Sequence, residues 1–229
     1  MSMEENVDVF GERPWQNWDN GQATACIDEY WVKNEQGWRD QLGNYLATEI
    51  SPNENILEVG CGSGLICQTL LQRGLTRPDR YTGGDISRKM LEIARNRLPN
   101  VTFNELDIFR LAIPDRAIPQ VLNVHVIQHL PNYADAVGEL LRITRDKLVL
   151  VSWFTDKAED QIQFSEPSER WDHQRFYNNF YSLPRLLAFI RTAAGRPVAD
   201  IRTHHFWEQA YAICVDFVNQ ASRPQDQTA

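Results

Sequence analysis

Only four of the 229 residues are cysteines, and Cys26, Cys61, Cys67 and Cys214 form no C-x-x-C pair. That scatter argues against a disulfide framework and against a metal cluster, and reads as reduced, mainly structural thiols. The chain also lacks any run near the roughly 18 apolar residues of a membrane span. Its start, Met1 to Asp8, is acidic and has neither the basic nor the apolar region of a signal peptide, so a cytoplasmic location is the expectation. There is no basic cluster, and the formal net charge is −8. Phosphate binding rests on Lys and Arg, so nucleic acid is not an expected partner. A neutral or cationic small molecule is compatible with this balance. Internal repeats and low-complexity segments are absent as well, and nothing marks a second globular domain.

What is present begins with Ile56-Leu57-Glu58-Val59-Gly60-Cys61-Gly62-Ser63-Gly64. A short apolar run ends in three glycines at alternate positions, and another apolar segment opens at Leu65. Strand, glycine turn and helix together place a nucleotide-bearing ligand against a sheet, with helix-start N–H groups facing its anionic end. The dinucleotide spacing G-x-G-x-x-G/A fails in both registers, because Leu65 and Cys67 occupy the positions that need Gly or Ala. A nicotinamide or flavin cofactor is therefore disfavoured.

The alternation continues. Leu65, Ile66, Leu70 and Leu71 have helical spacing, and Tyr81 to Ile86 reads as a second strand. Ser87 is a plausible N-cap for a helix through Met90, Leu91 and Ala94. Val101 to Asp107 is expected to be a third strand, Val121 to Val126 a fourth and Leu148 to Trp153 a fifth, with a helix over Ala134 to Ile143 before the last. Short β-α-β connections predict an α/β fold: a doubly wound, mostly parallel sheet with helices on both faces. A helix around Pro184 to Ala194 precedes Val198 to Phe206 and Ala210 to Phe217, which read as an antiparallel hairpin at a sheet edge and bring the sheet to seven strands. Residues 1–50 are expected to form an N-terminal helical cap and 51–220 the main domain. Residues 155–175 are polar and without clear periodicity, and about 155–180 is expected to be an exposed insertion or lid. The tail 221–229 is expected to be disordered.

Asp85 stands 21 residues after Gly64, at the expected end of the second strand, where a carboxylate accepts hydrogen bonds from both ribose hydroxyls. Asp107 ends the expected third strand, within reach of an adenine amino group. Ile86 and Ile108 follow these acids directly and are placed to sandwich the base. Each acid alone is as readily a cap or turn residue; three such features in order point to an adenosine-bearing ligand.

On these residues the chain resembles the class I methyltransferases that use S-adenosylmethionine, of the small-molecule type, over roughly residues 40–218. E-V-G-C-G-S-G is similar to that family's first motif, G-G-D-I-S to its ribose-binding segment and L-D-I-F to its adenine-binding segment. Asn123-Val124-His125-Val126-Ile127-Gln128-His129-Leu130 resembles the segment that packs the methionine end against the acceptor. The resemblance implies S-adenosylmethionine as methyl donor, S-adenosylhomocysteine as product and no metal. It assigns Glu58, Gly60, Cys61, Gly62, Gly64, Asp85, Ile86, Asp107, Ile108, Val124 and His125 to the donor. Tyr30 and Arg39 are further candidates for its carboxylate. The N-P-P-Y signature of base-amine methylation is absent, which again turns the expectation away from nucleic acid.

An oxygen nucleophile needs a base. His129 is the first candidate, because the resemblance sets it at the mouth of the fourth strand; helix-start bonding to backbone is its bland alternative. His173 is the second candidate. His204 and His205 lie on an expected edge strand, where at most one faces a pocket. Aromatic residues gather before the first motif, with Trp15, Trp18, Tyr30, Trp31 and Trp38. A second group follows the fifth strand and includes Trp153, Trp171, Phe176, Tyr177 and Phe180. Such walls suit a flat ring or a cationic amine, and Trp31, Trp153, Trp171 and Tyr177 are the expected substrate contacts. Anchoring a helical cap is the competing role. The expected activity is methyl transfer to an O or N atom of a small, possibly aromatic acceptor in secondary or specialised metabolism. Carbon methylation of a quinone type, or donor binding without catalysis, stays open, as do monomer and homodimer.

Overall fold

The computed structural model describes residues 18–19, 21–34, 36–166 and 175–218. Trp15, Trp171, His173 and the tail 221–229 lie outside the described residues. Helices α1 (Gly21–Asn34) and α2 (Gln36–Glu49) lead into the alternating part of the chain. There β1 (Ile56–Val59), α3 (Leu65–Gln72), β2 (Tyr81–Asp85), α4 (Arg88–Arg97) and β3 (Thr102–Glu105) follow one another. Then come β4 (Ile118–Val124), α5 (Ala134–Ile143) and β5 (Thr144–Thr155). The two-residue strand β6 (Tyr181–Ser182), α6 (Leu183–Ala193), β7 (Val198–Trp207) and β8 (Ala210–Phe217) close the described chain.

The sheet runs β3-β2-β1-β4-β5-β8-β7, with β6 pairing the end of β5 outside this path. Neighbours from β3 to β5 are parallel, while β8 is antiparallel to both β5 and β7. The seven-stranded, doubly wound arrangement with an antiparallel C-terminal hairpin is thus present, and β6 adds a short eighth strand. Three expected boundaries move. The third strand stops at Glu105, because Asp107 accepts from Phe109 N–H (2.9 Å) and turns the chain. The fourth stops at Val124, because His125 takes a left-handed φ of 55°. The fifth runs from Thr144 to Thr155, held along its length by β8.

Alternation along β5 explains how one strand serves two cores. Leu148 and Leu150 pack with α5 and α6 residues such as Leu140, Leu141, Leu186 and Ile190. Val149 and Val151 face the other way, towards Leu42 and Leu46 of α2, Leu70 of α3 and Leu91 of α4. The C-terminus of α2 is tied to the hairpin by charge: Glu49 accepts from Lys147 (3.1 Å) and from Arg202 (2.6 Å). Burial pushes the Glu49 carboxyl up, but Arg202, Cys214 and Lys147 outweigh it and hold it near 2. Helix α1 is clamped to α4 by Arg97, which meets Asp28 at 2.8 Å in a mostly buried pair. Helix α2 is therefore held along one face of the sheet and α1 against α4.

The segment after β5 departs from the exposed excursion expected there. Residues 156–166 lead outward and 175–180 return beside them, with Gln161 and Phe180 exchanging backbone bonds of 2.9 Å. Phe176, Tyr177 and Asn179 on the returning half are buried. No described helix is long and apolar enough to cross a membrane.

Candidate active site

Strand order reverses at β1, which sends β2 to one side and receives β4 on the other. At such a switch point the loops diverge and leave a crevice at the carboxyl ends of the strands. The glycine turn forms its floor. Gly60, Gly62 and Gly64 have φ values of 80°, 51° and 80°. Gly60 is also tight: a Cβ there would stand 2.1 Å from Val126 Cγ2. Gly60 and Cys61 N–H groups both donate to Gly84 O (2.6 and 3.0 Å), folding the turn over the end of β2. Cys61 is buried, and burial pushes its thiol well above the ordinary range, so it acts as a small apolar wall and not as a nucleophile.

Asp85 receives Gly62 N–H on Oδ2 (2.8 Å) and Ser87 N–H on Oδ1 (2.9 Å). An ionised carboxylate accepts about four hydrogen bonds, so each oxygen keeps capacity for one hydroxyl. Ser87 also caps α4, accepting from Met90 N–H (3.1 Å), and its hydroxyl donates to Trp18 O (2.6 Å). Beside Asp85 lies a slot of about 90 Å³ walled by Ile86, Met90, Leu106, Asp107, Ile108 and Phe109. A carboxylate with room for two hydroxyls, next to an apolar slot with an acid at its edge, fits the adenosine half of S-adenosylmethionine.

A second cavity of about 570 Å³ opens from the slot. Trp18, Trp31, Gly60, Val124, His125 and His129 line both, so they form the neck between them. Trp38, Trp153, Phe176, Phe180 and Trp207 wall the far side, with Tyr30, Tyr177 and Glu58 also in the lining. Glu58 is 1% exposed and accepts from the Tyr81 hydroxyl. Burial, opposed by that bond and reinforced by the Asp85 charge, pushes its carboxyl up to about 8.

The two neck histidines are held in different ways. His125 leaves β4 with its N–H on Val151 O (2.8 Å), and its Nδ1 lies 3.1 Å from Gln128 Nε2. Gln128 Oε1 accepts from the Ser152 hydroxyl, so its Nε2 donates and His125 Nδ1 accepts. His129 Nδ1 lies 2.6 Å from Tyr177 O, and a carbonyl only accepts, so Nδ1 carries the proton. Trp18 packs on the His129 ring at 4.9 Å, and Trp38 meets the His125 ring edge at 5.0 Å. Enclosure away from water pushes both imidazoles down, His125 to about 3 with help from the nearby His129. His129 settles at about 4, the Tyr177 bond opposing the fall.

Other candidates fall differently. Arg39 lines the large cavity, but its guanidinium donates to Trp31 O, Val32 O and Gln36 Oε1. It satisfies carbonyls at the end of α1, where a helix leaves them without internal partners. His204 stacks on Tyr45 at 4.7 Å, and His205 Nε2 donates to Glu208 O (2.9 Å). Neither lines either cavity. Gln128, Ser152 and Trp207 belong to the site or its support; Ser152 and Trp207 carry no motif, and Gln128 lies between two histidines in the segment that resembles the family's. Among the described residues no three His, Cys, Asp or Glu side chains gather as a metal site.

Residues 57–151, from β1 to mid β5, match the family described as methyltransferase domain. Over that stretch the chain carries a methyltransferase domain of the class I, Rossmann-like kind that uses S-adenosylmethionine. Among curated relatives it is 28% identical over 158 residues to the malonyl-[acyl-carrier protein] O-methyltransferase of Serratia marcescens, covering 68% of this chain. That alignment spans 59% of the Serratia protein, less than two thirds of its length. A ubiquinone biosynthesis O-methyltransferase of Neisseria meningitidis is 27% identical over 180 residues, covering 70% of this chain and 72% of that one. Among solved structures the DhpI–SAH complex superposes with a TM-score of 0.64 at 19% identity, over 87% of this chain and 97% of that one. At that identity the likeness is one of fold.

Proposed function

We propose that this protein transfers the methyl group of S-adenosylmethionine to a hydroxyl oxygen of a flat, uncharged small molecule held in the large cavity. The observation that carries the reading is the bond from His129 Nδ1–H to Tyr177 O, which leaves Nε2 as the lone-pair side of the ring. A neutral imidazole with that tautomer accepts a proton from an acceptor hydroxyl. Its low pKa keeps it unprotonated at neutral pH. When bound, the sulfonium supplies an activated methyl: the S–CH3 bond breaks with its electron pair on sulfur as the O–CH3 bond forms.

The chain's own residues then align, shield and deprotonate. Asp85 and the Ile86–Ile108 slot hold the adenosine half, and the glycine turn admits the ligand close to the backbone. His129 takes the hydroxyl proton and passes it to water after release. Helices α1 and α2 with residues 156–166 and 175–180 act as one cap, whose aromatic walls exclude water and grip a ring. The O-methyltransferase names of two relatives support oxygen as the nucleophile.

His129→Asn keeps a side-chain N–H for Tyr177 O while removing the base. With an accepted phenol, kcat is expected to fall by about 10²–10⁴ with donor affinity changed only a few-fold. Unchanged turnover would reject His129 as the base.

A further inference from the structure

Two imidazoles line one neck, and their Nδ1 atoms have partners of opposite kind. His129 is fixed with its proton on Nδ1 by a backbone carbonyl, so it offers an acceptor. His125 is fixed with Nδ1 as acceptor by the Gln128 amide, so its proton sits on Nε2 and it offers a donor. Nothing in the catalytic reading requires the second arrangement. It is nonetheless supported: Gln128 is 1% exposed, its side-chain Oε1 is held by the fully buried Ser152 hydroxyl, and its backbone carbonyl accepts from Asn179 N–H (2.9 Å). The side-chain amide is held at two points, and turning it over would leave the buried Ser152 O–H without its acceptor, so the His125 tautomer follows from the orientation that satisfies both.

We propose that Gln128 is a positioning residue that locks His125 as an N–H donor, and that the His125–His129 pair selects acceptors whose reacting hydroxyl stands beside a neutral carbonyl or ether oxygen. This rests on the reading of His129 as the base. The reacting hydroxyl donates to His129, and the adjacent oxygen, which only accepts, receives the His125 N–H. An isolated phenol leaves that buried donor unmatched, which disfavours it. A neighbouring carboxylate is disfavoured too. Arg39, the one cation among the described residues of the wall, donates to carbonyls of α1, which lessens what it offers a buried anion.

The test uses the full chain loaded with S-adenosylhomocysteine or S-adenosylmethionine and the isomers 2-methoxyphenol and 4-methoxyphenol. Nitrogen-15 spectra are expected to show His125, assigned by its loss in His125→Phe, as the Nε2–H tautomer and His129 as Nδ1–H. Calorimetry and turnover are expected to favour the 2-isomer by about tenfold, the worth of one matched hydrogen bond in a closed site. Gln128→Leu and the milder Ser152→Ala should leave His125 with averaged nitrogen shifts and erase most of that preference, with donor affinity retained. A single unchanged tautomer in both variants would overturn the lock. Equal handling of the two isomers, or binding of neither, would overturn the acceptor class. Loss of donor affinity in the variants with the preference intact would overturn it also, by assigning His125 to the donor's methionine end. None of these outcomes depends on His129→Asn, so failure of the base and failure of the lock are separable.

Discussion

Glu58→Gln is expected to make the protein more stable, and increasingly so as pH rises. Glu58 lies at 1% exposure between β1 and the cavity wall, and enclosure moves its carboxyl from 4.5 to about 8. Between those values the unfolded chain is ionised while the folded chain must hold a proton, so stability is fully present below 4.5 and is lost as pH climbs to 8. The slope is about 1.4 kcal/mol per pH unit, which from pH 5.5 to pH 8 amounts to about 3 kcal/mol. Glutamine keeps an oxygen for the Tyr81 hydroxyl and does not titrate. Whatever its amide costs in packing is the same at both pH values and cancels in the difference. Denaturation of both proteins at the two pH values should therefore show the variant gaining about 3 kcal/mol relative to wild type at the higher pH. That corresponds to a change of about 6–12 °C in the melting-temperature difference for a chain of this size. Parallel pH profiles would refute the claim that Glu58 is held as a neutral acid.

Asp85→Ala removes both ribose acceptors, and calorimetry is expected to show donor affinity falling on the order of 100-fold, with circular dichroism unchanged; equal affinity would remove Asp85 from the ribose site. Gly60→Ala drives a methyl into Val126 at a left-handed backbone position and should cost about 2–4 kcal/mol. Adding Val126→Ala should recover the steric part and leave about 1 kcal/mol of backbone strain, so a double mutant no better than the single one would show that the clash is not the cause.

The parts legible in the sequence are those whose chemistry is local. Alternate glycines after an apolar strand need positive φ, and each of Gly60, Gly62 and Gly64 has it. Asp85 ends β2 because its carboxylate binds backbone N–H groups on its own turn and on the glycine turn. Residues fastened across long separations were not legible. Tyr177 meets His129 from 48 residues away, and only its backbone oxygen matters, which no side-chain pattern reports. Arg39 lines the large cavity, but the sequence gives no sign that its guanidinium also binds helix-end carbonyls. The aromatic residues of 175–180 were legible in the sequence, but the role of Asn179 among them was not. Asn179 is in fact buried, donating to Leu130 O (2.8 Å) and, through its backbone, to Gln128 O.

That last segment has a consequence for fidelity. The stretch that walls the acceptor chamber also supplies the carbonyl that fixes the His129 proton, and its Asn179 N–H grips the Gln128 backbone beside it. Seating the wall and arming the histidines are one structural event, in the manner of a safety interlock. With the stretch out of place, His129 loses the bond that keeps its lone pair on Nε2, so an unsealed chamber is a disarmed one.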